Sequence, residues 1–210
     1  MPKGYWLPQI DVSDPQGYQA YMAATPPALE KYRGFALVRG GKSELVKGQF
    51  RSRAVICRFP DYATALACVA RTNISGRGRC GWRTRPVISS SSRAMTASSR
   101  RCRVHPCRLR QDKGYRIGHV DITDTEGYKE HMVADMVPFG KFGRRFLVRG
   151  GAREVTEGKV RSRTVVLEFP SYEAALARYR SPDYQAAKKL RDGRSQADLV
   201  IAEGYDGPKY

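Results

Sequence analysis

The residues of this chain that are best suited to acid–base chemistry lie in its second half. His119 and Asp121 are two positions apart in KGYRIGHVDI, residues 113–122. If this stretch is a strand, both side chains lie on one face with Tyr115, because alternate residues of a strand share a face. Imidazole titrates near neutral pH and can act as a general base. With Glu168, from the apolar run TVVLEF, they form the predicted catalytic set: His119, Asp121 and Glu168.

Each of these residues also has a simpler interpretation. His119 can be an ordinary polar group of a strand, and Glu168 can form an ion pair with an arginine instead of lining a cavity. The first half of the chain has Gln9 and Arg58 at the positions that correspond to His119 and Glu168. Any acid–base site is therefore confined to the second half.

A second group of residues is suited to binding an anion. Arg149 precedes the pair Gly150-Gly151, and a guanidinium group matches the geometry of a carboxylate. The alternative is a turn whose glycines serve backbone geometry and whose arginine is solvated. Tyr184 adds a phenol, although packing against a sheet is its simpler role. The predicted substrate-binding residues are Tyr115, Arg149, Gly150, Gly151 and Tyr184.

The sequence predicts neither a metal nor a cofactor. It contains no phosphate-binding glycine loop and no convincing Ser-His-Asp or Cys-His arrangement. Cys102, His105 and Cys107 are close together, but no second Cys/His pair follows at the spacing of a zinc site. Any reaction would therefore be cofactor-free.

The positive charge of the chain is concentrated in one segment. The net charge is +18, and residues 69–112 contribute +10 through 11 arginines and one acidic residue. Residues 1–68 and 113–210 carry only +4 each. A basic, disordered tail that binds nucleic acid is one interpretation of residues 69–112.

The chain contains the same domain twice. Residues 3–68 align without a gap with residues 113–178, and 27 of the 66 positions are identical. In each copy a strand precedes a capping-box pattern, at Ser13 or Thr123, which predicts a helix to about residue 31 or 141, shortened in the first copy by Pro26-Pro27. Two further strands, at 145–149 and 163–169 in the second copy, and a helix follow. Only the second copy continues, with a helix that starts at Ser181-Pro182 and a last strand. The order β-α-β-β-α-β predicts an α+β, ferredoxin-like unit, complete at 113–207 and truncated at 1–68, with 69–112 irregular between them.

The irregular segment has a second explanation, which disfavours nucleic-acid binding. None of residues 69–97 matches its counterpart in 179–207. Yet codons that can encode VISSSSRAMT, residues 87–96, read DLVIVEGYD when they are regrouped by one step, and residues 198–206 are DLVIAEGYD. We therefore interpret the segment from about residue 68 to 97 as a frameshifted translation of the first copy's missing end.

The second copy also resembles a known family. Its segments RGG, RSR, EFP, SYEAA, YRSPDYQ and EGYDG resemble the bacterial family called domain of unknown function 1330, over 113–207 and, in truncated form, over 3–68. The resemblance implies a dimeric α/β-barrel, in which two ferredoxin-like units pair their sheets around a cavity. Such barrels include cofactor-free monooxygenases, isomerases and haem proteins, so the fold does not fix the function.

Two functions follow as expectations. One is binding or cofactor-free conversion of a small, anionic organic molecule, and the alternative is a non-catalytic binding or assembly domain. The expected partner is a second unit of the same kind, as an internal pseudo-dimer or a homodimer, paired through the sheet faces. No stretch of 18 apolar residues or signal peptide is visible, so we expect no membrane partner and a cytoplasmic location.

The frameshift interpretation makes a prediction about the gene. Sequencing of the source DNA across codons 66–113 is expected to show that a one-base change restores the missing end of the first copy. If no single-base change gives a reading frame similar to residues 179–207, the interpretation is wrong and residues 69–112 are a genuine basic segment.

Overall fold

Two antiparallel sheets form the frame of the chain, and each is built mainly from one copy of the repeat. The computed structural model describes residues 2–71, 83–84, 87–90, 113–136 and 141–207. The first unit consists of β1 (Gly4–Trp6), β2 (Gln9–Asp11), α1 (Pro15–Lys31), β3 (Phe35–Arg39), β4 (Ser43–Lys47), β5 (Arg53–Phe59), α2 (Tyr62–Arg71), β6 (Arg83–Thr84) and β7 (Val87–Ser90). The second consists of β8 (Gly114–Ile122), α3 (Thr125–Ala134), β9 (Arg145–Arg149), β10 (Arg153–Val155), β11 (Arg163–Phe169), α4 (Tyr172–Arg180), α5 (Pro182–Lys189) and β12 (Ser195–Glu203).

The predicted β-α-β-β-α-β order is confirmed in the second unit. Its sheet has the order β4-β12-β8-β11-β9, and the long strands β8 and β12 are paired along their whole length. The strands predicted at 145–149 and 163–169 have those bounds. In the first unit the stretch that corresponds to β8 is divided into β1 and β2 at Pro8, because proline cannot donate a backbone hydrogen bond to the sheet.

The two units exchange one strand each. Strand β4 of the first unit pairs with β12 of the second, with Ser43 opposite Ala202 and Lys47 opposite Leu199. Strand β10 of the second unit pairs with β7 in the first unit's sheet, with Glu154 opposite Ile88. These two short strands were not predicted from the sequence. Because each sheet contains a strand of the other unit, the units are interlocked by backbone hydrogen bonds.

A shared apolar core lies between the two sheets. It combines inward-facing side chains of both units, while the helices cover the outer face of each sheet with a separate core. The fold is therefore α+β, with two ferredoxin-like units that enclose a common interior. The buried residues of the shared core are Tyr5, Leu7, Val38, Ala54, Ile56, Tyr115, Ile117, Leu147, Val148, Val166, Val200 and Ala202.

The expectation that the first unit lacks a fourth strand is wrong. Strands β6 and β7 lie within the segment that was expected to be irregular, and they pair with β2 and β1. Ile88 is fully buried against Trp6 in the first unit's outer core. A sheet edge accepts any extended segment that offers backbone groups, and here β7 fills the place that β12 takes in the second unit. Cys102, His105 and Cys107 lie outside the described residues.

Two details of the helices also differ from prediction. The N-caps are Asp14 and Asp124 instead of Ser13 and Thr123, and each carboxylate accepts backbone N–H groups of the first turn. Helix α1 runs through Pro26 and Pro27 to Lys31, whereas α3 ends at Ala134, well before the predicted end at residue 141. Tyr18 and Leu29 anchor α1 on both sides of the prolines, so packing outweighs the missing backbone bonds. The predicted start of α5, with Ser181 as N-cap and Pro182 first, is confirmed.

None of the helices that the structure describes is long and apolar enough to cross a membrane.

The strand exchange predicts how the second unit behaves alone. A fragment of residues 113–210 lacks β4, so the edge of β12 and the apolar inner face of its sheet are uncovered. We expect two copies of this fragment to pair, because the same surfaces are covered by the first unit in the full chain. Sedimentation equilibrium should give a dimer for the fragment and a monomer for the full chain. A folded, monomeric fragment would contradict this.

Candidate functional site

The interior of the barrel is apolar at its centre and polar at its two ends. Ile56, Ile117 and Val166 fill the middle of the space between the sheets, and all are almost completely buried. These apolar side chains separate the residues of β8 that were predicted to share one face. Tyr115 lies at one end of the interior and His119 at the other. They are four residue steps apart along the strand, which corresponds to roughly 13 Å. The predicted residues therefore do not form a single site.

His119 is a buried histidine with one free ring nitrogen. Its side chain is 1% exposed, its Nδ1 atom lies 3.1 Å from the hydroxyl oxygen of Thr164, and its ring stacks on Phe50 of the first unit. The Nε2 atom is buried and has no hydrogen-bond partner in the part of the chain that the structure describes. Burial lowers the pKa of His119 to about 4, so the ring is neutral at neutral pH.

A polar pocket of about 310 Å³ lies beside His119. Both units contribute to it, because Gln9 comes from β2 and Gln49 from the loop after β4, whereas the other residues belong to the second unit. Gln9 occupies the position in the first unit that His119 occupies in the second. We call this cavity the His119 pocket; it is lined by Gln9, Gln49, His119, Asp121, Lys159, Val160, Arg161 and Asp198.

Asp121 borders the pocket, but its carboxylate is engaged in hydrogen bonds that stabilise the fold. Its carboxylate accepts the backbone N–H of Ser162, at 2.6 Å, and a bond from Arg161, at 3.2 Å. The N–H of Ser162 and the guanidinium of Arg161 hold the pKa of Asp121 below its usual value. The first unit repeats the arrangement with Asp11, whose carboxylate accepts the N–H of Ser52. Asp121 therefore fastens the end of β8 to the start of β11.

A second cleft of about 310 Å³ contains the predicted glycine turn. Gly150 and Gly151 have φ angles of 73° and 100°, and a side chain on Gly151 would meet Ser90 of β7. Thr164 lines this cleft and also contacts His119, so the two cavities are neighbours. We call it the arginine cleft; it is lined by Ser89, Arg149, Gly150, Gly151, Arg153, Ser162, Arg163 and Thr164.

The remaining predicted residues lie elsewhere. Glu168 pairs with Lys113 and Arg145 at 3.0 and 2.9 Å, and it accepts a bond from the Tyr115 hydroxyl at 3.2 Å. Burial and the Glu168 carboxylate raise the pKa of Tyr115. This network is at the end of the interior opposite His119. Tyr184 lies on the outer side of the sheet, where Arg116 donates to its hydroxyl at 3.0 Å.

Several residues of the site were missed by the sequence analysis. Thr164 precedes an apolar run and faces inward with His119, a position that strand alternation on β11 could have indicated. Arg153 lies on the exchanged strand β10, for which the sequence gives no pairing signal. Arg116 follows Tyr115 on β8 and faces the helices. An arginine on the helix-facing side of a central strand was itself a signal of a buried polar network.

The burial of His119 predicts a pH dependence of stability. The folded chain protonates this ring near pH 4, whereas the unfolded chain does so near pH 6.5. The stabilising contribution is therefore complete above pH 6.5 and is lost as the pH falls toward 4. We expect the unfolding free energy of the wild type to fall by about 3 kcal/mol more than that of His119→Gln over this range. Urea unfolding of the two proteins at each pH measures these unfolding free energies.

His131, which is also buried and has a lowered pKa, is present in both proteins and cancels in the comparison. Parallel stability curves for the wild type and His119→Gln would contradict the prediction.

Comparison with solved structures supports the fold. An anthrone oxidase-like protein aligns with a TM-score of 0.53 and 12% identity, over 100% of this chain and 95% of that chain. A mutant chlorite dismutase from Candidatus Nitrospira defluvii, in complex with cyanide, gives 0.48 and 10%, over 99% and 91%. A heme-binding protein from Thermus thermophilus gives 0.43 and 11%, over 98% and 92%. At 12% identity, the likeness to the anthrone oxidase-like protein concerns the fold alone.

The sequence comparisons identify a family. No curated protein matches the chain. The model of the family described as domain of unknown function (DUF1330) matches residues 3–73 and residues 113–205. The second segment covers the second unit, the first covers the first unit as far as α2, and together they make up most of the chain. The protein therefore belongs to the DUF1330 family, which it represents twice in one chain with a dimeric α/β-barrel fold.

Proposed function

We propose that the chain binds a small organic anion, such as a short carboxylate, where the His119 pocket meets the arginine cleft. The observation that carries this proposal is the free Nε2 atom of the buried His119, next to a cleft lined by three arginines. An unpartnered buried polar atom is unfavourable, and a ligand that bonds to it removes that cost. The guanidinium groups supply the complementary charge.

The electrostatics of the two cavities favour an anion. The arginine cleft is lined by Arg149, Arg153 and Arg163, and none of the described residues that line it is acidic. The acidic residues of the His119 pocket are both engaged by Arg161, which contacts Asp121 at 3.2 Å and Asp198 at 2.7 Å. An incoming carboxylate therefore meets paired acids on one side and an excess of positive charge on the other.

The state of His119 favours a binding role over that of a general base. A general base works best when its pKa is near the working pH, whereas the pKa of His119 is about 4. A neutral ring can donate one hydrogen bond and accept another. With Thr164 fixing one nitrogen, the other nitrogen is available to orient a ligand.

Both units are needed for this site. Gln9 and Gln49 line the His119 pocket, and Ser89 lines the arginine cleft, so the first unit provides one wall of each. This arrangement agrees with a site that is made once per chain, because the first unit has Gln9 where the second has His119 and Ser43 where the second has Arg153.

These two differences between the units provide the test. His119→Gln and Arg153→Ser each introduce the residue that the first unit has at the same position. We expect a panel of short carboxylates, observed by ¹H–¹⁵N NMR titration against chloride at equal ionic strength, to include at least one that binds saturably. Each substitution should weaken its binding by about tenfold or more, which corresponds to about 1.4 kcal/mol.

Tyr115→Phe is the matched control, because it removes a hydroxyl at the other end of the interior and should leave the affinity unchanged. The proposal fails if no carboxylate binds more strongly than chloride, or if Arg153→Ser and Tyr115→Phe affect the affinity equally. One-dimensional ¹H spectra of the ligands in the same samples would also reveal any conversion to product.

A further inference from the structure

Four buried arginines lie on the helix-covered side of the second unit's sheet. Arg116, on β8, and Arg144, before β9, are 7% and 6% exposed. Arg178, on α4, and Arg191, after α5, are 0% and 1% exposed. We call these four residues the buried arginine cluster. Arginine is almost never buried without a charged partner, so a group of four calls for a physical explanation.

The partners of the cluster do not balance its charge. Asp135 accepts a bond from Arg144, at 3.1 Å, and pairs with Arg178. The Tyr184 hydroxyl accepts from Arg116 at 3.0 Å and from Arg191 at 3.4 Å. Neither Arg116 nor Arg191 contacts a carboxylate within the described ranges. Four guanidinium groups thus face one carboxylate, and buried charge without a counter-charge is strongly unfavourable.

Burial and the neighbouring guanidinium groups shift the pKa values of Arg178 and Tyr184. Burial, followed by the neighbouring Arg116, lowers the pKa of Arg178 to about 9. Burial alone would raise the pKa of Tyr184, but the positive charges of Arg116, Arg191 and Arg178 lower it. The surroundings of these groups therefore favour an additional negative charge.

Several N–H groups of the cluster are unsatisfied. The Nε atoms of Arg116 and Arg191, and the Nε and Nη1 atoms of Arg178, are buried without a hydrogen-bond partner among the described residues. Each unpaired buried donor carries a desolvation cost of about 1–3 kcal/mol, and more for charged groups. The cluster thus lacks both counter-charges and hydrogen-bond acceptors.

A cavity lies where such an acceptor would fit. It has a volume of about 50 Å³, larger than the roughly 10–15 Å³ that one water molecule requires. Arg116 and Arg191 line it from the sheet and from the end of α5, and His131 lines it from α3. The Nδ1 atom of His131 donates to the backbone carbonyl of Ala187 at 2.8 Å. The cavity is therefore small and edged by guanidinium donors that lack an acceptor, and the Asp135 carboxylate also lines it.

We propose that this cavity binds a small inorganic oxyanion between β8 and helices α3 and α5. The planar guanidinium fork matches the oxygens of phosphate-like ions. The anion accepts from the free Nε donors and offsets the excess charge of the cluster. It acts as a structural ligand that joins the helices to the sheet, on the face of β8 opposite His119. Arg149 and Arg163 line both this cavity and the arginine cleft, whereas Arg116 and Arg191 line this cavity alone.

The first unit shows that the fold does not itself require arginines here. Trp6, Gly34 and Cys68 stand at the positions of Arg116, Arg144 and Arg178. The corresponding cavity, beside Trp6 and Leu29 under α1, is almost entirely apolar and has a volume of about 30 Å³. The same fold is therefore packed with apolar groups in one unit and with an excess of buried arginines in the other, which favours a ligand specific to the second unit.

The test uses the full chain, with inorganic phosphate as the probe. The urea midpoint of unfolding should rise with phosphate concentration and saturate, because a ligand that binds only the folded state stabilises it. Chloride at the same ionic strength should give a much smaller rise. In the double variant Arg116→Met/Arg191→Met, we expect the phosphate dependence to weaken at least tenfold in apparent affinity. Arg180→Met, which removes an exposed arginine, should retain it.

The proposal is wrong if phosphate and chloride act equally, or if the double variant and Arg180→Met respond alike; either result means an adventitious ion only. Neither substituted arginine of the double variant lines the His119 pocket or the arginine cleft. Loss of phosphate stabilisation with intact carboxylate binding, or the reverse, therefore distinguishes this site from that of the proposed function.

A second readout needs no arginine substitution. Tyr184 contacts the cluster directly, so an anion in the cavity should raise the pH at which its phenol ionises. Ultraviolet difference titration of the wild type with and without phosphate measures this shift, and Tyr184→Phe identifies the band. A titration curve that phosphate does not move would overturn the proposal even if the double variant failed to fold.

Discussion

The exchange of β4 and β10 between the units is the constraint on which the rest of the structure depends. Each strand leaves its own unit and extends the sheet of the other, so the two inner faces are held against each other by backbone hydrogen bonds as well as by apolar contact. Tyr179 of α4 strengthens the junction, because its hydroxyl donates to the carbonyl of Val46 at 2.7 Å. The interior, and every polar group at its ends, exists only in this interlocked arrangement.

The apolar filling of the interior determines where chemistry is available. Ile117 and Val166 separate the network around Glu168 from the surroundings of His119. At the Glu168 end the charges are paired with one another and with Tyr115. At the His119 end a ring nitrogen is left free and guanidinium groups outnumber acids. At the Glu168 end the polar groups bond to one another, whereas at the His119 end the Nε2 atom has no partner among the described residues.

The second unit carries two separate excesses of positive charge, one on each face of its sheet. On the inner side Arg153 borders an open cleft, where exchange with solvent moderates the field. On the outer side Arg116 and Arg191 are enclosed by helices, where the low dielectric makes an unpaired charge far more costly. The inner excess suits a ligand that comes and goes, whereas the outer one suits an ion that remains.

Local patterns in the sequence predicted a large part of this fold. The inward face of β8 and the bounds of β9 and β11 follow from alternation and from turn residues, which are local properties. The grouping of Tyr115 with His119 failed because a strand spreads one face over its whole length. Tyr184 packs on the outer side of the sheet, which was its simpler interpretation, and its distance from the other predicted binding residues depends on the placement of α5. The exchange of β4 and β10 left no trace in the sequence, because backbone pairing does not depend on side-chain identity.

Because backbone pairing does not depend on side-chain identity, β1 of the first unit can pair with a segment whose sequence differs from that of β12. Residues 87–90, VISS, share nothing with residues 197–200, ADLV, and Tyr5 pairs with Ser89 where the repeat would pair it with residue 92. A segment that does not resemble β12 nevertheless supplies the hydrogen bonds to β1, and β10 of the second unit pairs with its outer edge. One unit of a duplicated domain can thus stabilise, by strand exchange, an edge strand of the other unit whose sequence differs from its own.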